Sequence, residues 1–152
     1  MVELLVAVTL LALLASAVLP FTRMTAQRTR EVELRRNLRI MRTALDDYKK
    51  AYDKAVEQKK IVAVQNLSGY PKTLELLVEG DDFGGLYGVK RKFLRRIPPD
   101  PMNPAPAGQP PQWGLRSYSD QPDSTNWGRE DVFDVYSLSE GVAIDGSSYK
   151  DW

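Results

Sequence analysis

The sequence predicts an α+β protein in which one long N-terminal α-helix packs, through its C-terminal half, against a small antiparallel sheet. Three observations support this fold class: an apolar run over residues 4–19, an apolar stripe of helical spacing over residues 34–56, and two short alternating segments near the C-terminus. We therefore divide the 152 residues into a hydrophobic helix (1–22), an amphipathic stalk helix (23–66) and a small α+β head (67–152).

The first element is the apolar run, in which Thr9 and Ser16 are the polar residues. As an α-helix the run spans about 24 Å, which is shorter than the ~30 Å hydrocarbon core of a bilayer. A signal peptide would begin with basic residues, whereas this chain begins Met1-Val2-Glu3. Three interpretations remain open here: a signal peptide, a short membrane helix, or a transmembrane or filament-core helix that packs among copies of itself.

Glu3 is the unusual residue of this run. An unpaired carboxylate in lipid is unfavourable, and the helix N-terminus offsets only part of that free energy. The α-amino group of a neighbouring copy would supply the missing cation, and the carboxylate would then fix the register between helices. The alternative is an ordinary N-terminal helix charge that faces lipid headgroups.

Pro20 separates the apolar run from the stalk helix, and we expect it to kink or locally unwind the helix. The stalk is predicted from about residue 25 to about residue 60 by an apolar stripe with helical spacing: Leu34, Leu38, Met41, Leu45, Tyr48, Tyr52 and Val56. Residues 23–60 hold twelve Lys/Arg against six Asp/Glu, whereas residues 61–152 are mildly acidic. This asymmetry favours attraction between stalk and head or between subunits, unless both are simply solvated surfaces.

The head begins after a turn at residues 68–71, and we expect Thr73 to cap a short helix over residues 74–79. The proline-rich residues 98–104 are incompatible with helix or central strand. Residues 113–118 and 132–137 are predicted strands that could pair as a hairpin, with Asp131 and Asp134 facing solvent.

The composition restricts the chemistry available to this chain. It contains no cysteine and no histidine, which excludes disulfides, thiolate metal sites and Ser-His-Asp catalysis. The basic stalk carries no aromatic or glycine pattern typical of nucleic-acid binding. These absences argue against an enzyme, and we expect none; a membrane-anchored periplasmic binding module is one class of protein that stays open.

Several segments together resemble one family. The N-terminal VELLVAV stretch, Gly-Tyr-Pro after the long helix, Arg-Arg-Ile-Pro-Pro-Asp-Pro and Phe-Asp-Val-Tyr-Ser-Leu-Ser occur in this order. The chain thereby resembles the major pseudopilins of type II secretion systems (general secretion pathway protein G-like), within the type IV pilin superfamily. The resemblance implies a basic leader and a Phe-Thr pair upstream of Met1, with cleavage by a prepilin peptidase and N-methylation of the new terminus.

The family resemblance also implies function and location. It implies a homo-oligomeric helical filament, with Glu3 and Pro20 as assembly residues, that supports protein secretion across the outer membrane. The expected partners are minor pseudopilins and the inner-membrane secretion platform, without nucleic acid. The subunit would lie in the bacterial inner membrane with its head in the periplasm, and then in a periplasmic filament. A subunit of a true type IV pilus at the cell surface is the alternative within this superfamily.

Major pseudopilins often bind Ca²⁺ in their C-terminal loop. The resemblance places Asp145 in an Asp-Gly position and Asp151 in a later acidic position, with Ser139 as an additional oxygen ligand. Calcium prefers six to eight oxygen ligands, several of them anionic. The alternative is a metal-free loop in which Ile144, Tyr149 and Trp152 pack onto the head.

Overall fold

The computed structural model describes residues 2–64 and 67–152, without the side chains of residues 16–22. Its dominant element is a single α-helix, α1, Val2–Glu57. The helix assignment is uninterrupted, so the local unwinding that the sequence allows near residue 20 does not occur. The side chain of Pro20 lies outside the described residues, and the kink there stays a prediction.

The predicted apolar stripe is the foundation of the core. Its residues from Leu34 to Tyr48 are buried, whereas Tyr52 is partly buried. Small side chains continue the same face of α1 and let the head approach the helix closely, namely Ala44, Ala51 and Ala55. Because burial follows the 3.6-residue period, the second half of α1 is an amphipathic helix covered on one side by the head.

The helix α1 ends at Glu57, three residues before the limit near residue 60 that the apolar stripe predicts and nine before the end of the stalk segment assigned to residues 23–66. Lys59 adopts a positive φ of 55°, and the amide of Lys60 donates to the carbonyl of Ala55 at 2.8 Å. A left-handed residue with such a backward hydrogen bond ends a helix by satisfying its last carbonyl groups. The chain then reaches the turn before Pro71, where Gly69 has a φ of 82° and an added Cβ would meet the ring of Tyr52.

The head contains one short helix, α2, Glu75–Glu79. The prediction that Thr73 caps this helix is wrong, because Leu74 occupies the N-cap position without a side-chain hydrogen bond. Burial holds the segment instead, since Leu74 and Leu77 both enter the core. The carbonyl of Leu77 also accepts from the amides of Phe93 and Leu94, which fixes the following segment against α2.

A two-stranded antiparallel sheet completes the head. Strand β1, Gly114–Arg116, pairs with β2, Asp134–Tyr136, in the register Gly114 to Tyr136 and Arg116 to Asp134. The predicted hairpin is therefore correct in direction, although both strands are half the predicted length. An added Cβ on Gly114 would overlap the Tyr136 ring, so only glycine fits opposite this tyrosine. The strand β2 contacts α1 directly.

Candidate functional site

Residues 2–15 of α1 form a mostly apolar surface that the described part of the chain leaves exposed. Leu11 retains 65% of its surface exposed. The other large side chains there are comparably open, namely Val2, Leu4, Leu5, Val6, Val8, Leu10, Leu13 and Leu14. The Thr9 hydroxyl donates to the carbonyls of Leu5 and Val6, so its hydrogen-bonding capacity is used within the helix.

Glu3 lies exposed in the first turn of this apolar segment. The backbone amides of the first turn and the helix dipole favour a negative charge at that position. Among the residues that the structure describes, no ion pair involves Glu3. The carboxylate is thus accessible to a cation from outside the described chain.

No helix in the described part of the chain is both apolar and long enough to cross a membrane.

The C-terminal segment is attached to α1 through the buried carboxylate of Glu31. Its Oε1 accepts hydrogen bonds from the Tyr149 hydroxyl at 2.9 Å and from the Ile144 amide at 2.9 Å. Gln27 donates to both Glu31 and the Tyr149 hydroxyl. Burial above all raises the pKa of Tyr149, and its hydrogen bond to Glu31 acts in the same direction. The segment is therefore held to the stalk by specific polar contacts.

Arg35 makes a second, exposed attachment one turn further along α1. Its Nη2 lies 3.2 Å from Oδ2 of Asp145, and its guanidinium lies 4.1 Å from the centre of the Trp152 ring. Hydrogen bonds from the side chain and backbone of Ser147 lower the pKa of Asp145. Because both partners are more than half exposed, this ion pair contributes little to stability.

A third attachment joins α1 to the sheet through Asp134. Its carboxylate lies 2.7 Å from Nε of Arg42 and 3.4 Å from Nη1 of Arg116, and Arg42 also donates to the Trp152 carbonyl. Asp134 is thus half-buried between two arginines and does not face solvent as the sequence predicted. The excess of basic residues in the stalk and of acidic residues in the head is consistent with the Arg42–Asp134 and Arg35–Asp145 pairs, whereas Arg116 belongs to the head.

Asp131 also differs from its prediction, because it is buried. Its carboxylate accepts from the Tyr118 amide at 2.9 Å and from the Ser68 hydroxyl. Its carbonyl accepts from the Trp127 indole. The residue therefore ties three segments of the head together, a role that alternation along a strand could not reveal.

The residues predicted to bind calcium are engaged in local hydrogen bonds. Ser139 Oγ accepts from the Gly141 amide, Asp145 bonds to Ser147 and Arg35, and Asp151 is exposed in a 3-10 turn, Tyr149–Asp151. In residues 2–64 and 67–152 no group of three or more acidic side chains is arranged to hold a metal ion. These three residues alone supply fewer oxygen ligands than the six to eight that calcium prefers. The calcium site stays a prediction.

Tyr149 and Trp152 pack against each other with ring centres 5.2 Å apart, as the metal-free alternative predicts, whereas Ile144 keeps 46% of its surface exposed. The C-terminal segment is thus ordered by protein contacts.

Comparisons with known proteins find no match. No protein-family model matches the chain, and no curated protein or solved structure does.

Proposed function

We propose that the chain is a structural subunit of a type II secretion pseudopilus, which polymerises through its N-terminal helix and supports protein export across the outer membrane. Its role in this proposal is structural and not catalytic. Before assembly the subunit resides in the inner membrane with its head in the periplasm. After processing by a prepilin peptidase it joins a periplasmic filament. Minor pseudopilins and the inner-membrane secretion platform are its further partners.

One observation carries the proposal: a helix that is apolar on all sides over residues 2–15 continues directly into the helix that supports the head. A helix of this kind lowers its free energy only by burial in an apolar environment. Contiguous apolar surface of this extent marks an interaction site. Identical helices packed side by side would bury it while leaving the polar heads outside.

Glu3 gives this packing its register. Within a bundle of apolar helices an unpaired carboxylate is unfavourable, so the arrangement that brings a cation to each Glu3 is selected over others. The α-amino group of an adjacent subunit is such a cation. The carboxylate acts mainly through specificity, since a buried ion pair adds little net stability.

The test replaces Glu3 in cells that carry the secretion apparatus. We expect Glu3→Ala to abolish filaments, seen by electron microscopy and by sedimentation, while the chain still fractionates with membranes because its apolar run is unchanged. Glu33→Ala is the matched control, because Glu33 is an exposed carboxylate further along the same helix. Normal filaments from Glu3→Ala, or equal losses from both variants, would contradict the proposal.

A further inference from the structure

The part of α1 that follows the apolar surface of residues 2–15 carries a ring of arginines. Arg23, Arg28 and Arg30 are exposed, and residues 23–30 contain no acidic residue. These three residues are called the arginine collar below. Successive residues of an α-helix are turned by about 100°, so Arg23 and Arg30 lie on one side of α1 and Arg28 lies about 140–160° around from them. The collar therefore surrounds the helix and does not follow a single face.

The described part of the chain leaves the charge of the collar unbalanced. None of its three arginines forms an ion pair among the described residues. The nearby carboxylates are engaged elsewhere, because Glu31 is buried in hydrogen bonds to the C-terminal segment and Asp145 pairs with Arg35. Glu33 is exposed beyond the collar, and residues 23–39 as a whole hold six arginines against two glutamates. This end of the stalk is therefore a positively charged surface.

Exposed apolar side chains of the head lie at the same level of α1 as the collar. The Val142 carbonyl accepts a hydrogen bond from Gln27, and Ile144 lines a groove with Met24 and Arg28. Val142 and Met24 are each 58% exposed, and Ile144 is 46% exposed. Arginines and apolar side chains thus occur together at the edge of the head that is nearest to the apolar surface.

The arrangement of these features along α1 favours a lipid surface over a protein partner. A protein meets a helix from one side, whereas both the apolar surface of residues 2–15 and the collar extend around the helix. A lipid layer has the matching order, since its hydrocarbon is followed by a layer of phosphates. The axial distance from residue 15 to Arg23 is about 12 Å and the collar occupies about 10 Å. Long arginine side chains bridge such distances to reach headgroups.

We propose that the arginine collar binds the anionic phosphate groups of membrane phospholipids while residues 2–15 lie in the hydrocarbon. A guanidinium group stays charged and donates two parallel hydrogen bonds to a phosphate. The exposed apolar side chains of the head then lie at the boundary between headgroups and acyl chains. Insertion of the apolar surface is sufficient for this contact, and a full crossing of the membrane is not required. The proposal rests on the membrane-resident stage of the proposed function, but not on polymerisation.

Vesicle flotation of the full chain tests the proposal. The chain is transferred from detergent to vesicles of phosphatidylcholine alone or of an equal mixture of phosphatidylcholine and phosphatidylglycerol. We expect a roughly hundredfold preference for the anionic vesicles, because each of the three arginines contributes a favourable interaction with the charged surface. High salt should remove the preference by screening. The triple variant Arg23→Gln, Arg28→Gln, Arg30→Gln should lose most of it and still bind phosphatidylcholine as before, because its apolar surface is unchanged.

Two further triple variants and one soluble anion serve as controls. Lys54→Gln, Lys60→Gln, Lys72→Gln removes three exposed positive charges at the far end of the stalk and should keep the preference. Lys54 lies about 36 Å along α1 from Arg30. Replacing the three collar arginines by lysine keeps the charge and should retain most of the preference. Inorganic phosphate, compared with chloride at the same ionic strength, should not displace the chain selectively.

Four outcomes would overturn the proposal. The first is equal binding of the unmodified chain to both kinds of vesicle, or an unchanged preference in the glutamine variant of the collar. An equal loss in the lysine-to-glutamine control would show that net charge alone decides. Selective displacement by inorganic phosphate would assign the arginines to a soluble anion. Loss of filaments in the collar variant, with its lipid preference intact, would assign them to an acidic protein surface.

The Glu3→Ala variant separates this proposal from the proposed function. It should prefer anionic vesicles as strongly as the unmodified chain does, because its collar is unchanged. Filaments from Glu3→Ala would contradict the polymerisation proposal and leave a measured lipid preference standing. Filaments that depend on Glu3, formed by a chain without any lipid preference, would contradict the role of the collar alone.

Discussion

The two halves of α1 carry apolar side chains in different arrangements. Over residues 34–55 they follow one face, and the head covers that face. Over residues 2–15 they occur on every side of the helix, and the large ones keep 51–74% of their surface exposed within the described part of the chain. A small head on one side can bury an apolar stripe, whereas a helix that is apolar on every side needs neighbours all around it to be buried. The same helix therefore stabilises the folded subunit with one half and provides an assembly surface with the other.

The largest expected effect on the free energy of unfolding is the difference between truncating a leucine in the covered half of α1 and truncating one in the exposed half. Leu45→Ala should lower the free energy of unfolding by about 2–5 kcal/mol, because Leu45 is fully buried. Leu11→Ala should change it by less than about 0.5 kcal/mol, because Leu11 is 65% exposed among the described residues. Urea unfolding of the detergent-solubilised chain measures both. Equal losses would show that the apolar half is buried within the subunit and would remove the contrast.

The periodic parts of this fold were predictable from the sequence. The stripe from Leu34 to Tyr48 repeats at the helical period, and it lies in the core as expected. The antiparallel pairing of the two C-terminal segments was also predictable, because both alternate and both are bounded by turn residues. The strands are shorter than predicted because the backbone beyond Arg116 bonds to side chains and not to the partner strand. The Tyr118 amide donates to the Asp131 carboxylate, and the Ser117 hydroxyl donates to the Asp131 carbonyl.

Long-range polar contacts were not predictable in this way. Glu31 and Tyr149 are separated by 118 positions in sequence. Glu31 lies three residues before Leu34 on the face of the apolar stripe, which distinguishes it from the exposed Glu33 but does not identify its partner. Asp134 likewise alternates as a solvent-facing strand residue would, yet two arginines enclose it. The charge asymmetry between stalk and head indicated attraction, but it could not name the partners.

A smaller effect is expected from removing the polar link between the head and the covered half of α1. Glu31→Ala leaves the buried Tyr149 hydroxyl without its carboxylate acceptor and the Ile144 amide without a partner, which should cost about 1–3 kcal/mol of stability. Hydrogen exchange should rise first in residues 143–149. Glu33→Ala is the matched control and should change neither quantity. Unchanged protection in the Glu31→Ala chain would show that packing of Tyr149 and Trp152 alone holds the segment.

The smallest expected effect concerns pH and again involves the covered half alone. Burial, and next the charge of Asp81, raise the pKa of Tyr48, whose hydroxyl donates to Asp81 at 3.1 Å. Above about pH 10 an unfolded tyrosine loses its proton while the folded Tyr48 keeps it, so stability falls as the pH rises. The slope from one such group is at most about 1.4 kcal/mol per pH unit. Tyr48→Phe should make this alkaline decline shallower, although Tyr70 and Tyr149 contribute in the same direction. Unfolding free energies between about pH 8 and about pH 11 measure the slope. Identical slopes for the unmodified chain and the Tyr48→Phe variant would show that Tyr48 is accessible to hydroxide. The head would then cover α1 less tightly at this position.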